Sequence, residues 1–115
     1  MATGVKICNS FQMLSKLNSF KKCIEHEQFY EAHEALEDAW FPRRFEQKSE
    51  VKILKGFINA AVSFELEKRG RTEQSRRVWA NYLKYRQLLL TAETPYKNEF
   101  YKLSRYLERK KLKNH

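Results

Sequence analysis

The chain has 115 residues and a mass of 13.9 kDa, room for one ordinary domain spanning residues 1–115. With 42% apolar and 14% aromatic residues it can bury a core, which argues against disorder, and no apolar run approaches the ~18–20 residues of a membrane span or forms an N-terminal leader. Twenty-three basic against fourteen acidic side chains give a net charge of +9, three glycines and two prolines supply little turn chemistry for an all-β fold, and no glycine-rich phosphate loop follows a strand-like run.

Apolar residues recur at helical spacing almost throughout. Ser10 caps a first helix with Phe11, Leu14, Leu17 and Ile24 near one face, fading around residues 26–28. A second helix runs from Phe29 to Trp40 on a stripe of Phe29, Ala32, Leu36 and Trp40, and Pro42 stops it because the residue before proline avoids helical angles. Residues 43–48 form a polar connector. Ser49 caps a third helix reaching Arg69, and Gly70 supplies its left-handed stop. A fourth helix is expected from Thr72 to Ala92. Thr94-Pro95 opens a fifth, with Tyr96, Phe100, Leu103 and Leu107 on one side. Short connectors favour antiparallel neighbours, so the fold class is all-α, a compact bundle of about five helices with its core over residues 10–108 and a frayed tail over 109–115.

Cys8 and Cys23 sit near opposite ends of the first helix, roughly 20 Å apart at ~1.5 Å per residue, too far for a disulfide. Free thiols point to a reducing, cytoplasmic location, with Cys23 against the core. Charge is uneven. Residues 1–67 hold nine basic and ten acidic side chains, and residues 68–115 hold fourteen against four, a net of +10. Cys23 to Pro42 carries six acids and no lysine or arginine.

The second helix carries the most pointed chemistry. Around its wheel Glu31 and Asp38 face water, His33 falls within the apolar stripe beside Phe29 and Trp40, and Glu37 lies one turn on, next to Tyr30. An imidazole and a carboxylate at i, i+4 can interact and fix the ring's orientation. The plainer alternative is a buried histidine satisfied by one hydrogen bond. On the third helix Glu65 projects into an arc of Val51, Leu54, Ile58, Ala61 and Val62, where an unpaired carboxylate is costly. Arg86 on the fourth helix lies between the directions of Tyr82 and Trp79. His33, Glu37, Glu65 and Arg86 are therefore expected to converge, either as a polar pocket or as a buried ion network that fixes helix register.

Stock catalytic signatures fail. The zincin spacing puts Glu37 where a second histidine is needed, and no histidine follows a glutamate by three as di-iron bundles require. A mononuclear metal site from His33, Glu37 and Glu65, with His26 in reserve, is opposed by the nearby arginine, so no metal and no cofactor are assigned. In the C-terminal half Arg76, Arg77, Lys84, Arg86, Lys102 and Arg105 interleave with Trp79, Tyr82, Tyr85, Tyr101 and Tyr106, a pattern open to weak, salt-sensitive nucleic-acid binding. The same rings recur at helical spacing, which equally describes a core ringed by cations.

The segment Phe29-Tyr30-Glu31-Ala32-His33-Glu34-Ala35-Leu36-Glu37-Asp38-Ala39-Trp40 resembles the signature helix of the "domain of unknown function 309" family, and Lys55-Gly56-Phe57-Ile58-Asn59-Ala60-Ala61 with Gly70 continues the likeness over roughly residues 11–92. The resemblance implies a small all-helical fold and singles out His33, Glu34, Glu37 and Trp40; it implies no substrate. The resulting expectation is a small-ligand or acid–base site with His33 as proton carrier, Glu37 as its orienter and Glu65 beside it. Tyr30, Glu34, Trp40, Tyr82 and Arg86 are candidate ligand contacts. The alternatives are a non-enzymatic module whose basic half meets nucleic acid or an acidic protein, and an adaptor that forms a homo-oligomer; no membrane partner is expected.

Overall fold

The computed structural model describes residues 10–113. Five α-helices follow one another: α1 Ser10–Glu25, α2 Phe29–Trp40, α3 Ser49–Lys68, α4 Thr72–Arg86 and α5 Lys97–Lys113, with no strand among the described residues. The bundle is all-α, and consecutive helices pack as neighbours, α1 on α2, α2 on α3 and α3 on α4. None is long and apolar enough to cross a membrane.

α3 is the central helix because it is apolar on most of its circumference: Val51, Ile53, Leu54, Phe57, Ile58, Ala60, Ala61 and Phe64 are all buried. Phe57 is the hub. Its ring meets Phe20 of α1 at 6.3 Å, Tyr82 of α4 at 6.2 Å and Phe100 of α5 at 5.6 Å between centroids, so one side chain touches three other helices. Near the other end of α3, Phe64 stacks on Phe29 at 5.5 Å and meets Trp79 edge-on at 5.8 Å.

Toward α4, α3 turns the small residues Gly56, Ala60 and Ser63, spaced i, i+4, i+7. A Cβ on Gly56 would lie 2.8 Å from Tyr85 Cβ, so the two backbones approach as closely as glycine permits. About two turns on, Ser63 and Ser75 exchange bonds: the Ser63 hydroxyl donates to the Ser75 carbonyl at 2.9 Å and the Ser75 hydroxyl to the Ser63 carbonyl at 2.8 Å. α3 ends where expected, with Gly70 at φ +79°.

Several boundaries and faces differ from the sequence expectation. α1 buries Met13, Leu17, Phe20 and Ile24, whereas Phe11 and Leu14, expected inside, are exposed. The spacing 13, 17, 20, 24 is the one that carries Phe20 to Phe57. α2 ends at Trp40, but Phe41 still holds helical angles (φ −56°, ψ −46°) and a 3₁₀ turn continues over Phe41–Arg43, where Pro42's missing N–H leaves no gap. α4 ends at Arg86 and tightens into a 3₁₀ turn over Gln87–Leu90, which buries Leu89 and leaves Leu90 outside. Thr94 caps the last connector, accepting from the Tyr96 amide at 3.3 Å while donating to Glu50 of α3 at 2.5 Å, and α5 starts at Lys97. The tail expected to fray from residue 109 is helical to Lys113, because Lys111 is buried. Cys23 is a half-buried free thiol packed on the core, pushed above its ordinary pKa first by burial and then by Glu31; Cys8 lies outside the described residues.

Candidate functional site

α2 buries Phe29, Ala32, Leu36 and Ala39, and this register places His33 at the edge of the core rather than inside it. The His33 side chain is 25% exposed, and its Nε2 stands 3.1 Å from Glu37 Oε2, whose side chain is 43% exposed. Tyr30, largely in solvent, tilts its ring toward the imidazole at 6.1 Å, and Glu34 is exposed beside it. One turn beyond Glu37, Trp40 lies half-buried with the Lys55 ammonium 4.3 Å from its ring centre, a cation–π contact between α2 and α3. The i, i+4 pair expected from the sequence is therefore present, at a half-open surface.

Glu65 and Arg86 do not join it. Glu65 turns to Arg69, one turn along its own helix, at 2.7 Å. Arg86 pairs with Glu108 of α5, a residue that drew no attention in the sequence. Among the described residues no group of three or more His, Cys, Asp and Glu side chains is placed to hold a metal ion, so His33, Glu37 and Glu65 form no such set. The helical wheel gives each residue's direction on its own helix, but Glu65 pairs with Arg69 and Arg86 with Glu108 rather than with the partners the wheel suggested.

Two polar clusters are instead built where α5 crosses α3 and α4. In the first, Glu108 accepts from the Tyr82 hydroxyl at 2.7 Å, from Ser104 at 2.8 Å and from Arg86. Tyr82 is almost wholly buried, and burial pushes its phenol well above the ordinary range. In the second, the Lys111 ammonium donates to Ser63 Oγ at 3.0 Å and Ser75 Oγ at 3.1 Å, and pairs with Glu67 at 3.4 Å. The rings of Trp79 and Phe64 lie 5.1 and 5.3 Å from it. Only 9% of the Lys111 side chain is exposed, and burial lowers its pKa against the opposing pull of Glu67. A signal for Lys111 was available: it continues the stripe Phe100, Ser104, Leu107 at i, i+4, i+7, i+11.

The aromatic residues interleaved with cations in the C-terminal half point mainly inward. Tyr82 is buried and Trp79, Tyr101 and Tyr106 pack against the core. The exposed cations of α5 are Lys102, Arg105, Arg109 and Lys113, one cationic stripe at helical spacing.

Comparison with known proteins adds one decisive observation. A family model for a domain of unknown function (DUF309) matches residues 17–78. The chain belongs to this family. The matched stretch takes in α2 with its His33–Glu37 pair, all of α3 and the first half of α4, and it ends before α5 and Lys111. No curated protein and no solved structure matches the chain. The DUF309 description itself names no activity.

Proposed function

We propose that the exposed edge of α2 is a small-ligand or acid–base site, with His33 as the proton carrier, Glu37 holding one ring nitrogen, and Tyr30, Glu34 and Trp40 around it. The observation that carries this reading is the half-open position of the 3.1 Å His33–Glu37 pair inside the family's matched region. A pair this exposed contributes only about 0–1 kcal/mol to folding, so fixing helix register is a weak reason for its presence. With one nitrogen facing Glu37, the other is the atom available to exchange a proton with a ligand. Glu65 and Arg86, engaged elsewhere, have no part in this version of the site. The test is a thermal-shift screen of small metabolites against the wild-type chain. A compound that stabilises the wild type and loses its effect in His33→Gln, while keeping it in Arg76→Gln, supports the reading. Compounds that act equally on His33→Gln remove it.

A second reading is favoured by the stripe Lys102, Arg105, Arg109 and Lys113, none of which enters an ion pair among the described residues. Four unspent cations on one helix face suit a polyanion held by charge alone. Binding to duplex DNA should then fall with salt at a log–log slope of about −0.9 per phosphate contacted, and vanish in an Arg105→Glu, Arg109→Glu variant.

A further inference from the structure

A cleft of about 420 Å³ opens between α4 and α5, away from the α2 edge. Its α4 wall is Thr72, Ser75, Arg76, Trp79 and Leu83, residues that share one face of that helix, and its α5 wall is Glu108, Lys111 and Leu112; Glu67 reaches in from α3. The cleft has the volume of a small-molecule site and is bracketed by apolar side chains that water rather than protein covers: Leu83 is 41% and Leu112 73% exposed, and Trp79 is half-buried between them.

Among the charges lining the cleft, all but one are paired within the protein. Glu67 is spent on Lys111, and Glu108 on Arg86, Tyr82 and Ser104. The three donors of Lys111 are directed at Ser63, Ser75 and Glu67. Each of these charges is balanced within the protein. Arg76 is the exception: it lines the cleft, is exposed, and enters no ion pair among the described residues. It stands one turn from the Thr72 hydroxyl and three residues before Trp79. One unspent guanidinium beside a hydroxyl, at the edge of an apolar trough, complements a molecule with a single negative head and an apolar body.

We propose that the α4/α5 cleft binds a small apolar monocarboxylate, with Arg76 and Thr72 holding the carboxylate and Trp79, Leu83 and Leu112 covering the body. Lys111 borders the cleft from α5, with its ammonium bonded to Ser63 and Ser75 and so unavailable to the ligand. This site is independent of the α2 reading, because no cleft-lining residue belongs to α2.

The test uses the full chain labelled with ¹⁵N and four probes: 2-naphthoate, octanoate, and their neutral counterparts 2-naphthalenemethanol and octanol. At least one carboxylate should saturate with a Kd at or below about 1 mM and shift the Trp79 indole N–H together with the amides of residues 72–83. Its alcohol should bind several-fold more weakly, and Arg76→Gln should weaken the carboxylate by about fivefold while leaving the alcohol unchanged. Whichever carboxylate binds tighter tells whether the natural ligand carries a ring or a chain. Arg76 lies on the surface, so the variant folds, and its unperturbed spectrum is checked first. Four results overturn the proposal: saturation by neither acid, equal binding of acid and alcohol, insensitivity to Arg76→Gln, or shifts centred on the separate groove of Phe11, Leu14 and Leu103 between α1 and α5.

Discussion

Lys111 permits a stability experiment in which charge and hydrocarbon are separated. Replacing it with alanine removes three buried methylenes, worth about 2.4 kcal/mol at ~0.8 kcal/mol each. Replacing it with methionine keeps a stem of similar length and removes the ammonium. The serines do not lose their main partners, because each hydroxyl still donates to the other's carbonyl, at 2.9 and 2.8 Å. Glu67 is 20% exposed and can take up water. Exchanging a buried charge for a packed apolar group is commonly neutral or stabilising. At pH 7, Lys111→Met should therefore lie within about 1 kcal/mol of the wild type, whereas Lys111→Ala should lose about 2–3 kcal/mol, roughly 8–15 °C in Tm for a domain of this size. The pH dependence has a definite sign. Burial lowers the Lys111 pKa in the folded state below the unfolded value near 10.4, so between those two values the unfolded chain binds more protons. The cost of burying the ammonium is complete below the folded pKa and disappears above the unfolded one. Wild-type stability should accordingly rise relative to Lys111→Met as the pH climbs through that window. Guanidinium titrations at pH 7 and at stepped values up to about 10.5 measure both effects. If methionine loses as much as alanine, the ammonium network rather than the buried stem holds α5 in place, and the reasoning fails.

Three further outcomes follow from the packing. His33→Ala and Glu37→Gln should each cost less than about 1 kcal/mol in chemical denaturation, since the pair is half-open; losses above about 2 kcal/mol would return it to a structural role. Gly56→Ala should destabilise by about 1–3 kcal/mol in thermal melts, because the new methyl would stand 2.8 Å from Tyr85 Cβ with α4 backbone behind it. Tyr82→Phe should cost about 1–2 kcal/mol, as Glu108 keeps Ser104 and Arg86 but loses a buried donor; an unchanged melting curve would mean that water replaces the hydroxyl.

The sequence made the helices legible because their punctuation is local. Gly70 stops α3 with a positive φ that needs no knowledge of the rest of the chain, and the Phe29, Ala32, Leu36 stripe sets which side of α2 is buried. Features that depend on a second helix were less legible. On α1, two apolar sets compete, and Met13–Leu17–Phe20–Ile24 prevails over Phe11 and Leu14 because Phe20 has Phe57 to meet. α4 gives way to a 3₁₀ turn because Leu89 must reach the core, which its own propensity does not reveal. The His33–Glu37 pair could be read because both partners lie on one helix. Arg86 could not be paired with Glu108 because the wheel places no helix against another, whereas Glu65–Arg69, also an i, i+4 pair, was as open to reading as His33–Glu37. Lys111 looked like a solvated tail because lysine-rich ends usually are one; only its place on the Phe100 stripe says otherwise.

The order in which the helices pack has a kinetic consequence. Contacts between α1 and α2, α2 and α3, and α3 and α4 each close across a connector of a few residues, so four helices can zip together with little loop entropy to overcome. α5 is different: Lys111 reaches Ser63 across 48 positions and Glu67 across 44. Those long closures are completed only when α3 and α4 already present their serines and the Phe57 ring. In stopped-flow refolding, substitutions in the α3–α4 seam should thus slow folding, while those at Lys111 should chiefly speed unfolding. The helix that closes the bundle is the one that leaves first.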